Sequence, residues 1–235
     1  MRALLLCAAL AVVSGCASHT ALAPDERASI EKELSGAPRY LKLSFNVTPF
    51  FGDAGHRLLT PAAPDEVRLL DDTRGEPINP GAVEAVLPAG RRARIVKVEF
   101  PTAWAVAERV LYSPRVQTWV YVDVEGAPPG PPLVLVLPPR TDTADAVRTE
   151  VERYLIERDP SAQLAALSAP VREAVFRKEA RVGMSEEALE MAWGYPERRV
   201  RSYQDGVRSE EWVYPGGRRK AFLTEGRVAR LEGAS

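Results

Sequence analysis

The period of the apolar residues changes near Pro138-Pro139, and that change limits what each part of the chain can fold into. Before it, the clearest runs alternate with period two. In Tyr40–Val47, Leu41, Leu43, Phe45 and Val47 share one face, while Lys42, Ser44 and Asn46 share the other. That is the pattern of a half-buried strand. After it, Val147, Val151, Tyr154 and Leu155 fall at i, i+4, i+7 and i+8, with Arg148, Glu150, Glu152 and Arg153 on the other side. That stripe belongs to an amphipathic helix. A strand-rich part followed by one that opens on helices predicts an α+β chain in two domains.

The first part reads as short strands between turns. Val67–Leu70 is one strand, and Ala93–Phe100 another, with Val96, Val98 and Phe100 inward and Lys97 and Glu99 outward. Val106–Tyr112 and Thr118–Val124 follow as two more. In the second, Val120, Val122 and Val124 share one face, and Trp119, Tyr121 and Asp123 the other. Thr48–Pro64 reads as a long loop rich in Pro, Gly and Phe, and 71–81 as turns. Leu133–Leu137 is a continuous apolar strand after the stiff, proline-rich 126–132. Short strands at this spacing predict a small β-barrel or sandwich. The order of strand, Pro/Gly turn and Leu87-Pro88-Ala89-Gly90 leading into Arg94-Ile95-Val96-Lys97-Val98 resembles bacterial SH3-like domains, over roughly 40–137.

In the second part Ser168 and Pro170 open a helix with Val171, Val175 and Phe176 as its stripe. Ser185 then caps a further helix. Glu186 and Glu187 fall where the helix dipole favours negative charge, and Leu189, Ala192 and Trp193 form the inner face. Gly194 ends it and Pro196 bars its continuation. Strands follow around Arg198–Tyr203, Val207–Tyr214, Lys220–Thr224 and Arg227–Leu231, with hairpin chemistry at Asp205-Gly206, Pro215-Gly216-Gly217 and Glu225-Gly226.

Gly183-Met184-Ser185, Gly194-Tyr195-Pro196, Trp212-Val213-Tyr214 and Gly226-Arg227-Val228 together resemble the SmpA/OmlA (BamE-like) family of small outer-membrane lipoproteins. The resemblance covers roughly 170–233. It implies a two-helix plus antiparallel-sheet module that binds proteins, helps assemble outer-membrane β-barrels or maintains the envelope, and does no catalysis.

The start of the chain supplies an address. Arg2 precedes an apolar run from Ala3 to Val13, too short to cross a bilayer, and Val13-Ser14-Gly15-Cys16 closes it. This resembles a bacterial lipoprotein signal with its lipobox. Such a signal is cut before the cysteine, whose thiol is then diacylated, so the resemblance implies lipidation at Cys16. Cys7 would leave with the leader, which removes disulfides, thiolate metal sites and cysteine catalysis from the mature chain. Ala17 in place of aspartate after the cysteine implies the outer membrane in a two-membrane cell. The expected divisions are therefore a signal peptide at 1–15 and a lipid-anchored tether with a short helix at 16–38. An SH3-like all-β domain follows at 39–139, a connecting helix at 140–169 and a BamE-like α+β domain at 170–235.

A net charge of −1 over the whole chain predicts neither nucleic-acid binding nor docking on anionic lipid. The chain has two histidines, His19 and His56, far apart in sequence, a poor basis for a metal site or a triad. Ser29-Ile30-Glu31-Lys32 matches S-x-x-K without its companion motifs. The doublets Asp71-Asp72, Glu186-Glu187 and Glu210-Glu211 read as surface or capping charge, and Arg218-Arg219-Lys220 as cross-strand partners of Glu210 and Glu211. No catalytic residue, metal or cofactor is expected. What remains is surface. Trp104, Tyr112, Trp119 and Tyr121, with Phe50 and Phe51, are the candidate face for a partner protein or a glycan. The expected function is a non-catalytic, lipid-anchored envelope protein facing the periplasm, with protein or peptidoglycan partners. The rival is a peptidoglycan- or glycan-acting enzyme.

Overall fold

Leu41 and Phe45 belong to one alternating run yet lie in two different strands. The computed structural model describes residues 19–139 and 141–233, so Cys16 and its lipobox lie outside the described residues. Strands β1 (Pro38–Leu41) and β2 (Phe45–Phe50) are separated by Lys42-Leu43-Ser44. The alternation fails there because both faces are covered: Ser44, Asn46 and Thr48 are as buried as their apolar neighbours. Each polar side chain has a bond that makes this tolerable. Ser44 Oγ donates to Val175 O at 2.7 Å, and Asn46 Nδ2 donates to Ala62 O at 2.9 Å.

The first sheet continues with β3 (Asp53–Thr60), β4 (Ala85–Leu87), β5 (Arg92–Glu99), β6 (Trp119–Val124), β7 (Leu133–Val136) and β8 (Leu155–Ile156). Its order is β4-β2-β3-β7-β6-β5-β1-β8. All pairings are antiparallel except β3 with β7. Five strand spacings separate β2 from β1 in this order, about 24 Å if the sheet were flat. The link from Leu41 to Phe45 spans at most about 14 Å. The sheet must therefore curl until its two ends approach.

The concave core holds Leu41, Phe45, Ile95, Val120, Val122 and Leu135, and α1 (Pro24–Leu34) and α3 (Ala144–Tyr154) add Ile30, Leu34, Val147 and Val151. Helix α1 thus docks on the first sheet rather than frays. The opposite face has its own core of Phe50, Leu58, Val67, Trp119, Val134 and Val136.

The second layer is an antiparallel sheet of β9 (Arg198–Gln204), β10 (Val207–Val213), β11 (Lys220–Thr224) and β12 (Arg227–Glu232), in the order β12-β11-β10-β9. Two helices, α5 (Ala169–Phe176) and α6 (Glu186–Trp193), share a core with it through Val175, Leu189, Trp212, Tyr214 and Leu223. Here local chemistry and structure agree. Ser185 Oγ accepts from Ala188 N at 3.2 Å, Gly194 ends α6 at φ 84°, and Asp205-Gly206 and Glu225-Gly226 turn with positive φ at both residues. A Cβ at Gly194 would lie 3.1 Å from Pro61 Cβ, in a backbone region that strains any other residue. Gly194→Ala is expected to cost about 1–3 kcal/mol, read as a lowered midpoint in urea unfolding at unchanged slope.

Several expectations are corrected. The chain is not an SH3-like barrel followed by a two-helix BamE-like module. Among the described residues it is a mixed α+β fold of six helices, an eight-stranded mixed sheet and a four-stranded antiparallel sheet. Its first sheet is larger than a small barrel, takes β8 from beyond Ala144 and buries two helices in its core. Its second layer adds α4 (Ser161–Ala166), and its core includes Leu164 and Ala89 from outside the expected two-helix unit.

The expected loop 48–64 is mostly a hairpin of β2 and β3, turned by Phe51 at φ 54°. Val106–Tyr112 is not a strand. Ala103–Glu108 forms helix α2, since Thr102 Oγ1 accepts from Ala105 N at 3.2 Å and alanine favours a helix. Val67–Leu70 forms no strand. In β5 the pairing register shifts between Ile95 and Lys97, which turns Val96 outward, so Ile95 and Val98 are the buried residues there.

Candidate functional site

The six aromatic candidates do not form one face. Trp119 and Phe50 are buried, and Tyr121 packs against the same core. Phe50 and Val67, with Val134 and Val136 on the same face of the neighbouring β7, pack on the side of β6 that the alternation left to solvent. The Trp119 indole donates to Pro114 O at 2.9 Å, and the Arg109 guanidinium lies 3.9 Å from its ring centroid. Arg109 is itself held by Glu99 at 2.8 Å and by the carbonyls of Arg115 and Gln117, each at 2.7 Å. Burial, and then the neighbouring Glu99, push the Tyr121 phenol up to about 12. His56 closes the group edge-on, 5.6 Å from Trp119 and 5.8 Å from Tyr121, with Nδ1 2.8 Å from Asp53 Oδ2. Every polar atom named has a structural partner, so the cluster holds the sheet rather than offering a nucleophile or a stacking platform.

Trp104 and Tyr112 are on the surface, 73% and 66% exposed, with Leu111 between them at 63%. All three lie on α2 and the loop after it. Gly52 reaches this loop, because a Cβ there would sit 3.8 Å from Tyr112 Cβ, and Phe51 next to it is half-buried.

A cavity of about 310 Å³ lies between the two layers. Gly194, Tyr195 and Pro196 line one side, with Tyr214 beside them and Leu58, Leu135 and Val136 opposite. The Tyr195 hydroxyl donates to Arg153 O at 3.0 Å. Its one carboxylate, Glu66, is 2% exposed and committed to Arg219 at 2.5 Å, whose guanidinium lies 4.4 Å from the Trp193 ring.

No family model, curated protein or solved structure matches this chain. The arrangement of side chains is therefore what bears on function. Among the described residues, no three His, Cys, Asp or Glu side chains are grouped to hold a metal. The BamE-like motif residues all serve packing and turns. Gly183 takes φ 89° and its amide donates to Val228 O at 2.7 Å. Met184, Trp212 and Tyr214 are core, and the Trp212 indole donates to Glu210 Oε2 at 2.8 Å.

Of the basic run, only Lys220 pairs across its hairpin, with Glu211 at 2.9 Å. Arg219 and Arg218 reach instead to Glu66 and Asp65 of the first layer, while Glu210 is held by Arg201 and Arg208.

Sequence reasoning passed over Lys178. It follows α5 in the left-handed region, φ 59°, with its amide bonded to Val175 O and that of Glu179 bonded to Ala174 O. That is a Schellman ending, where glycine is usual. Lysine is there because Nζ donates to Ser44 O and Pro61 O at 2.8 Å and to Ala192 O at 3.0 Å. One ammonium thus ties three separate segments, two in the first layer and one in the second. Burial, and then the charge of Arg219, push its pKa down to about 7. The signal available in the sequence was a lysine where a helix stop calls for glycine.

Proposed function

We propose that this chain is a non-catalytic envelope lipoprotein. Acyl chains on Cys16 hold it at the outer membrane, facing the periplasm, and it works by presenting binding surfaces. The observation that carries the reading is how the segment after the lipobox meets the fold. The His19 amide donates to Pro101 O at 2.8 Å, Leu22 is buried, and α1 places Ile30 and Leu34 in the main core. An anchor at Cys16 would therefore be joined to a packed body rather than to a slack tether. Two acyl chains suffice for stable attachment, and the near-neutral charge requires no lipid headgroup.

A protein partner is favoured over peptidoglycan by β9. It lies at the edge of the second sheet and is exposed along all seven residues, Val200 and Tyr203 among them. An exposed strand edge can pair with an extended segment of another chain. An enzyme reading would draw support from convergent free carboxylates, whereas Glu66 in the interlayer cavity is tied to Arg219.

A photo-crosslinker at Tyr203 in cells, with one at exposed Glu76 as control, tests this reading. The expected result is a discrete adduct with an envelope protein from position 203 and none from position 76. Adducts absent from both positions, with the chain sedimenting on purified peptidoglycan sacculi, would overturn the protein-partner reading.

A further inference from the structure

The segment from Ala103 to Val116 carries the most exposed indole of the protein and almost no exposed charge. Its exposed residues are Trp104, Ala107, Glu108, Val110, Leu111, Tyr112 and Val116, of which Glu108 alone carries a charge near neutral pH. Apolar side chains grouped so densely on a surface mark a place that is covered in use. Chain geometry says by what. The His19 amide is bonded to Pro101 O, so the chain enters the fold at the base of α2. Two residues, Ala17 and Ser18, separate His19 from Cys16, so three Cα steps reach roughly 10 Å. Trp104 lies three residues beyond Pro101 on the other side of that bond.

We propose that Trp104, Leu111 and Tyr112 form a membrane-docking surface that inserts into the bilayer interface beside the acyl anchor. The inference rests on the lipoprotein reading above and names the lipid bilayer as the occupant of this one surface. Trp and Tyr suit the headgroup boundary, since each has an apolar body and a polar edge. A lone carboxylate and no cationic cluster make the contact hydrophobic rather than electrostatic. It should therefore form on neutral phosphatidylcholine and survive added salt. Anchor and patch together would fix the orientation of the body on the membrane, which acyl chains alone would not do.

The protein carries its own probe. Of its four tryptophans, Trp119, Trp193 and Trp212 are buried and Trp104 is exposed. Chain 16–235, which contains every described residue, is coupled through the Cys16 thiol to a maleimide phospholipid and incorporated into phosphatidylcholine vesicles. Chemical coupling makes the outcome independent of whether cells lipidate Cys16, so failure here and failure of the lipoprotein reading can be told apart.

The expected results are loss of acrylamide access to Trp104 on the vesicles and quenching of its emission by brominated phosphatidylcholine. Neither signal should appear in Trp104→Phe. With a single palmitoyl chain in place of the phospholipid, the triple variant Trp104→Ser, Leu111→Ser, Tyr112→Ser should partition onto vesicles less well by on the order of tenfold. All three positions are exposed, so folding is retained and circular dichroism checks it. Flotation with the vesicles while Trp104 stays open to acrylamide and untouched by brominated lipid overturns the proposal. Protection of Trp104 by self-association without vesicles also overturns it, by assigning the surface to a second copy.

Discussion

Replacing Lys178 by methionine should lower the unfolding free energy by about 3–5 kcal/mol, read as a fall of roughly 10 °C in Tm. Methionine keeps the apolar stem and removes every donor. The carbonyls of Ser44, Pro61 and Ala192 then lose the bonds they receive from Nζ at 2.8–3.0 Å. Unpaired carbonyls between packed layers cost more than the hydrogen bonds themselves contribute.

A second substitution separates side chain from backbone. Lys178 sits at φ 59°, so Lys178→Gly relieves a strained residue while deleting the same bonds. If the position only ended α5, glycine would stabilise the protein. The expected result is a loss, smaller than that of methionine by about 1 kcal/mol.

The pH dependence follows from the same residue. The native pKa is about 7, against the ordinary 10.5 that the unfolded chain keeps. Between those values the unfolded chain binds more protons, so stability should rise with pH from about 7 and level off near 10.5. Lys178→Met should flatten this rise in urea titrations run at successive pH values.

Glu66→Ala should be comparably severe, about 3–5 kcal/mol, because it leaves the mostly buried Arg219 guanidinium without its carboxylate. Both bonds of that pair are 2.5 Å long, and the two side chains come from different layers. Glu66→Gln keeps the shape and one acceptor, and should lose less. Lys178 and Arg219 repel one another, while Glu66 offsets both. The double variant Lys178→Met, Glu66→Ala should therefore lose less than the two single losses added together, since removing Lys178 relieves Arg219. Full additivity in a thermodynamic cycle would show that the layers are held by independent contacts.

How far the fold could be read in advance depended on where its information lay. α6 and the β9–β12 meander announce themselves through Ser185, Gly194, Asp205-Gly206 and Glu225-Gly226, because caps and tight turns are local chemistry. The first sheet was harder, since its topology lies in distant pairings such as β3 beside β7 and β1 beside β8. Its period-two signal also misled. A strand covered on one face alternates, but Trp119 and Tyr121 sit on the second face of a sheet covered on both. The aromatic candidates thus divided into a buried set around Trp119 and an exposed pair, Trp104 and Tyr112. Val106–Tyr112 looked like a strand because its apolar residues are numerous. What they compose is the end of a capped helix and an exposed loop.

The BamE-like resemblance marked positions that matter, but for packing. Tyr195, Trp212 and Tyr214 build the interior of the second layer or its contact with the first. The elements that join the layers, Ser44, Lys178 and the Glu66–Arg219 pair, carry no motif, because each depends on a partner more than a hundred residues away.

Attachment through Cys16 is the step on which the proposed function depends. Its most direct test is mass spectrometry of the protein extracted with detergent from the envelopes of cells producing the full chain. The predicted result is a chain that begins at Cys16, with Cys7 absent and a thioether-linked diacylglycerol on the Cys16 sulfur. A chain that begins at another residue, or one that retains Cys16 as an unmodified thiol, would contradict it.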